Sequence, residues 1–300
     1  MSDENMSSKN KGKIKISTFY LRIVRSILKD PLALLGLLIV VCFFSISILV
    51  ALLGDYILPY DPIKMDFSSI LVPPSLNHLF GTDRYGRDIF SRILAAAPTD
   101  AFVSVEVIIL SAIIGIVLGT LSGFAGRAID EIVMRLTDIF FSFPSIILAI
   151  AIAAVLGPGV RNAAIAITAT WWPTYVRLAR AETLRIKSLE FVEAAKVSNL
   201  SSYQIVLKHI IPNILPTIIT YATLDLGGVI LTYAGLSYFG LGAQPPLPEW
   251  GSEVFAGQDY LVVAPWWPIF PGLVIAIVSI GFALLGDGVR DAFSKQFVSK

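Results

Sequence analysis

The sequence predicts an all-α polytopic membrane protein with six transmembrane helices, and three observations carry that prediction. Of its 300 residues, 55% are hydrophobic and 15% charged, where a soluble domain carries about 25% charged residues. The apolar residues gather into runs long enough to cross about 30 Å of hydrocarbon at about 1.5 Å per residue. Lys and Arg fall mainly in every second segment between those runs, the bias that sets membrane orientation.

The first run, 32–53, exceeds the roughly 7–15 residues of a cleavable h-region and has no small-x-small site after it, so it reads as a retained span, 32–54. Cys42 lies inside it, one cysteine in the whole chain, and reads as a small buried hydrophobe with no disulfide or thiolate cluster to build. Five further spans follow at 101–124, 132–156, 163–178, 213–240 and 262–285. The fourth holds Trp171, Trp172 and Pro173, which predict a tilt or kink, with the tryptophans at the interface or packed inside the bundle.

Placing the N-terminus in the cytoplasm puts 18 of the 23 Lys and Arg residues on the inner side and 5 on the outer side. Both termini are therefore expected inside. In the leader, residues 1–16 are polar, and Tyr20, Ile23, Val24, Ile27 and Leu28 recur at helical spacing opposite Arg22, Arg25 and Lys29. That pattern suits an interfacial helix on an anionic inner leaflet, separated from the first span by Pro31, which starts helices more readily than it continues them. The expected layout is a cytoplasmic tail and interfacial helix at 1–30, the first span at 31–54, an extracytoplasmic loop at 55–100, a core transmembrane unit at 101–288 and a cytoplasmic tail at 289–300.

The most informative soluble segment is 189–213. Ser188 is placed to cap a short helix in which Phe191, Ala194 and Ala195 share a face, and Asn199 sits at the turn, a residue that tolerates left-handed backbone. Ser201 and Gln204 form an S-x-x-Q capping box for a second helix carrying Tyr203, Val206, Leu207 and Ile210 at i, i+3, i+4 and i+7, stopped by Pro212. Periodicity alone allows either a hairpin folded back on its own bundle or an apolar face awaiting a partner.

The stretch resembles the EAA loop of ABC importer permeases, with Glu193, Ala194 and Ala195 as the triplet, Asn199 where the family has a turn Gly, and His209, Ile210, Ile211, Pro212 and Asn213 as the ending. Phe80-Gly81-Thr82-Asp83, Gly86-Arg87-Asp88 and Ser91-Arg92 are similar to the FGTD-x-x-GRD-x-x-SR signature of the second permease subunit in dipeptide, oligopeptide and nickel importers. Residues 138–144, DIFFSFP, then Gly240-Leu241-Gly242, Gln244-Pro245-Pro246, Trp250-Gly251 and Leu285-Gly286-Asp287-Gly288 follow in the family's order. The chain departs from it at Tyr233, where peptide permeases often carry Glu.

The resemblance implies an ABC importer permease fold with a coupling loop at 188–213. It implies a plasma or inner membrane location, a partner permease, one or two ATP-binding subunits and an extracytoplasmic solute-binding protein. The expected cargo is a dipeptide or oligopeptide, with an oligosaccharide or nickel chelate as the alternative. Residues expected to meet the ATPase are Glu193, Ala194, Ala195, Asn199, Tyr203, His209 and Pro212. No cofactor is expected on this chain, which lacks a G-x-x-x-x-G-K-[ST] loop, so ATP and Mg belong to partner subunits.

An intramembrane enzyme is the rival reading, yet the two histidines, His78 and His209, fall in opposite loops and cannot build a catalytic dyad or metal site at depth. A free-standing channel leaves the capped hairpin unexplained. Asp83 and Asp88, each with an Arg nearby, read as surface ion pairs at a helix start in preference to metal ligands. Within the spans, Glu106 reads as reaching the outer interface. Asp225 is deeper and shares a polar stripe with Tyr221, Gly228 and Thr232, which makes Tyr221, Asp225, Thr232 and Tyr233 candidates for the translocation path, or else for interhelical hydrogen bonding. The net charge of +1 gives no reason to expect a nucleic-acid partner.

Overall fold

In lipid a chain must satisfy its backbone N–H and C=O groups internally. The computed structural model, which describes residues 24–298, is accordingly helical along most of its length. Helix α1 (Pro31–Ile57) begins at Asp30, whose carboxylate accepts the N–H groups of Leu32 and Ala33, with Pro31 in the first turn. Residues 24–29 form a separate helical turn before that cap, with Ile27 buried and Val24 and Leu28 exposed. The rest of the expected interfacial helix, Tyr20 to Ile23, lies outside the described residues.

Helix α2 (Ile89–Ala125) is capped by Asp88 and continues through Pro98, so it starts a dozen residues earlier than the apolar run alone suggests. Glu106 is in consequence a mid-helix, half-buried residue and not one near a span end. The third predicted span is two helices, α3 (Arg127–Phe141) and α4 (Ser145–Leu156), bent by 88° at the Ser142–Pro144 break. Pro144 stands at the N-cap of α4 and has no N–H to extend the α3 ladder. Helix α5 (Val160–Lys187) runs without interruption through Trp171, Trp172 and Pro173.

Beyond it come α6 (Glu190–Val197), α7 (Ser202–Ile205), a π-helical turn Val206–Ile210, and α8 (Ile211–Tyr238). A short α9 (Trp250–Gly257), a 3₁₀ turn Gln258–Tyr260 and α10 (Trp266–Val298) complete the chain. Among the described residues four helices are long and apolar enough to cross a membrane, and the bent α3–α4 pair makes five. The remaining expected span, the fourth, is α5, and it is less apolar because protein surrounds it: Ala163, Ala166, Ile167, Tyr175 and Ala179 are fully buried.

Two helix pairs set the architecture. Helices α2 and α5 run parallel and touch along Gly115, Gly119 and Gly123, one turn apart. A Cβ there would come within 2.2 Å of Tyr175, 2.4 Å of the Val176 carbonyl and 2.9 Å of Thr183. This small-residue stripe lets two backbones approach in a solvent that offers little hydrophobic drive between helices. Helices α1 and α10 run antiparallel, with Ala33 beside Gly288, Gly36 beside Leu285 and Ile39 beside Gly281. Leu32, Leu38, Ile48 and Leu52 of α1 are exposed, as lipid contact requires. Cys42, expected inside, is exposed on this same apolar surface.

The bundle has two distinct ends. The 58–88 segment, the 157–159 turn and residues 239–265 gather at one, the long-loop end, where the Gly159 N–H donates to the Leu241 carbonyl at 3.2 Å. Residues 188–210 and the Gly126 turn between α2 and α3 mark the other, the hairpin end, where the Lys187 ammonium donates to the Gly123 and Phe124 carbonyls.

Candidate functional site

At the hairpin end the local sequence rules hold closely. Asn199 has φ 57°, the left-handed value the turn requires. Ser201 accepts the Gln204 N–H while the Gln204 side chain accepts the Ser201 N–H, a complete capping box. Two expectations need correction. Ser188 does not cap α6; its hydroxyl donates to the Arg185 carbonyl, and Leu189 takes the N-cap position without a side-chain bond. Pro212 does not stop the second helix either. It removes the N–H that would meet the Lys208 carbonyl, and the chain widens into a π turn, with Ile211 N–H bonded to the Val206 carbonyl, before continuing as α8.

The face assignment divides as well. Val192, Ala195, Ile205 and Ile210 are buried against the bundle, so Ala195 packs inward and is not available to a partner. Glu193, Ala194, Asn199 and Pro212 are exposed, and so are Phe191, Val197, Tyr203 and Leu207, with Val197 at 89% and Tyr203 at 73%. His209 is half-buried, its ring 6.2 Å from that of Phe191. The hairpin thus folds on its own bundle through one face and leaves a second apolar face in the open.

Within the membrane-spanning part, Tyr221 and Gly228 are exposed and Asp225 is half-buried, which makes a stripe along α8. Tyr175 and Trp171 of α5 face the Asp225 carboxylate across the α5–α8 contact. Tyr221 also lines a cavity of about 680 Å³ near the hairpin end, with Arg185, Thr217, Thr220 and Arg290. Thr232 and Tyr233 are buried inside the subunit, Tyr233 completely, so neither reaches a surface in this conformation.

The long-loop end is built differently. Asp83 is fully buried, with Arg87 donating to it at 2.6 Å, so this ion pair is internal where a surface pair was expected. The other Asp83 oxygen accepts the Tyr85 and Arg87 N–H groups. Asp88 caps α2 through Ser91 and meets His78 at 3.0 Å; among the described residues no Arg pairs with it. Among the described residues no cluster of metal-ligating side chains forms.

Arg92 grips Glu253 through two nitrogens at 2.9 and 2.5 Å and donates a third bond to the Pro62 carbonyl, while the Trp267 indole donates to the remaining Glu253 oxygen. Burial pushes the Glu253 carboxyl up, and the charge and hydrogen bonds of Arg92 outweigh it, leaving it below its ordinary value. The FGTD-x-x-GRD-x-x-SR segment is therefore a knot that fastens the loop to α2 and α9. Sequence reasoning missed the Gly115–Gly119–Gly123 stripe, whose four-residue spacing was legible, and the Arg92–Glu253 pair, whose partners stand 161 residues apart and leave no local signal.

Residues 115–298 match the family model described as binding-protein-dependent transport system inner membrane component, and residues 18–74 match the N-terminal transmembrane domain of oligopeptide transport permease C. The chain is 40% identical to a probable D,D-dipeptide transport system permease protein of Escherichia coli over 87% of each chain. It is 41% identical to a dipeptide transport system permease of Alkalihalophilus pseudofirmus, over 90% of this chain and 88% of that one. A glutathione transport system permease of Pectobacterium atrosepticum is 37% identical over 86% of each. In fold, it resembles a chain of the MetNI methionine ABC transporter in an inward-facing conformation, with TM-score 0.55 and 19% identity, covering 67% of this chain and 96% of that one. With a family match over more than half its length and relatives near 40% identity, the chain belongs to the binding-protein-dependent transport system inner membrane component family, the permease subunits of ABC importers.

Proposed function

We propose that this permease pairs with a second permease subunit to enclose a path for dipeptides or oligopeptides, and that Glu190–Ile210 is the surface gripped by ATP-hydrolysing partners. The observation that carries the reading is the uncovered second face of the hairpin, with Phe191, Ala194, Val197, Tyr203 and Leu207 exposed on a segment whose other face is anchored to the bundle. A rigid lever on the bundle is what an ATP-driven partner needs in order to shift it between two packings. The chain has no phosphate loop of its own, so ATP and Mg bind on those partners. The Lys and Arg distribution supports a cytoplasmic hairpin end and cytoplasmic termini, with the long-loop end meeting an extracytoplasmic solute-binding protein. The stripe of exposed Tyr221 and Gly228 with half-buried Asp225 is the part of α8 suited to line the shared path. Peptide cargo rests on the relatives, which are dipeptide and glutathione permeases.

Glu193→Lys and Ala194→Asp test the docking assignment. Losing a partly buried charged hydrogen bond costs about 1.5–3 kcal/mol of docking energy. Both variants are expected to insert normally and to release the ATPase subunits or uncouple hydrolysis from uptake. Co-purification at parental stoichiometry with undiminished uptake in both variants would sink the assignment.

A further inference from the structure

We propose that Asp100 and Glu249 form a buried proton-binding pair that latches helix α9 onto the wall made by α2 and α8 at the long-loop end. Both carboxylates are fully buried, and they lie against each other. The groups facing the pair come from every element packed around it: Asp100 from α2, Tyr233 and Ser237 from α8, and Glu249 from the N-cap of α9. No cation is among them. Arg92, on the same helix as Asp100, is committed to Glu253 and the Pro62 carbonyl.

Two touching carboxylates in a low-dielectric interior cannot both stay ionised without a cation, because desolvation and mutual repulsion add. One shared proton converts the contact into a charged O–H···O⁻ hydrogen bond, among the stronger bonds available to a protein. The surroundings place the proton. Glu249 accepts the Gly251 N–H at 2.9 Å and the Ser252 N–H at 2.8 Å, both of which favour its anion. Among the described residues the Asp100 oxygens have only the Trp250 N–H near them and make no hydrogen bond of ordinary length, against two for Glu249, so Asp100 carries the proton and donates it to Glu249.

The latch is mechanical because α9 sits directly on α8: a Cβ at Gly251 would stand 2.0 Å from the Ala234 carbonyl oxygen. The carboxylates cannot separate unless α9 moves, and α9 also holds Glu253, the anchor for Arg92. Burial raises the Glu249 carboxyl above its ordinary range as well, so the proton that the pair shares is held more tightly in the folded state than in the unfolded chain. The stabilisation is therefore full in acid, declines as pH rises above the ordinary carboxylate range, and levels off once the shared proton is lost.

The test is thermal unfolding of the purified transporter complex in lipid between about pH 5 and pH 9. The parent is expected to lose stability as pH rises, by up to about tenfold in the folding equilibrium per pH unit for one proton, and to level off at the alkaline end. Asp100→Asn supplies a permanent N–H donor to Glu249, so it should flatten that slope and match or exceed the parent at alkaline pH. A parent profile that is flat or rising, or an Asp100→Asn profile parallel to the parent's, overturns the proposal. If the variant fails to accumulate, infrared difference spectra of the parent decide instead. A buried carboxylic-acid carbonyl band present at acid pH and lost at alkaline pH supports the pair; its absence at acid pH overturns it.

Discussion

The two ends of the bundle solve opposite problems with similar residue types. At the long-loop end, charges turn inward: Asp83 with Arg87 and Arg92 with Glu253 are buried, hydrogen-bonded to backbone and indole groups as well as to each other. At the hairpin end, Glu193 and Lys196 face solvent, and the order comes from a capping box and one left-handed residue. Buried ion pairs make a surface that cannot rearrange piecemeal, since losing one partner strands the other. Local caps make an element that keeps its shape while its outer face stays free to be covered. The long-loop end is thus a fixed rim, and the hairpin, on the proposed docking role, a handle.

Breaking the rim is expected to have the largest effect. Arg92→Met leaves Glu253 buried and uncompensated, which costs about 3–5 kcal/mol. It should lower the thermal midpoint sharply, and the double variant Arg92→Met with Glu253→Leu should recover much of the loss. Equal midpoints for parent and single variant would show that water reaches the pair and that the two ends do not differ as described.

The handle should respond more weakly and locally. Asn199→Ala removes the short polar side chain that makes left-handed backbone tolerable, at up to about 1–2 kcal/mol, whereas Asn199→Gly should be neutral. Amide hydrogen exchange should quicken across 190–210 in the Ala variant and remain parental at 58–100. Acceleration at both ends would mean that they are coupled and the contrast is wrong.

Between the two ends lies Asp225, and Asp225→Asn should have the smallest effect on stability, within about 1 kcal/mol for an interhelical polar contact. Transport rate or substrate preference should nonetheless change while the complex assembles. Parental transport of every tested peptide would assign Asp225 to holding α5 and α8 together through Tyr175 and Trp171.

How much of this was legible in the sequence depended on how far apart the interacting residues lie. The Asn199 turn, the Ser201–Gln204 box and the Pro31 helix start are each decided within four residues, by backbone sterics and orphaned N–H groups, and each stands in the structure as its residues require. The apolar runs likewise determined which segments cross lipid, because backbone polar groups have no other partner there. Run length alone did not show that α2 begins back at Ile89, or that the third span folds by 88° at Pro144. Nor could it show that α5 crosses the bundle with less apolar character, since neighbouring helices and not lipid cover it.

The chemistry at the long-loop end belonged to tertiary structure alone. Asp100, Tyr233 and Glu249 come from three separate elements, and nothing near any of them in the chain marks it as buried or names its neighbours. A carboxylate's charge state follows from its desolvation and from which groups face it, and both are set only once the helices have packed.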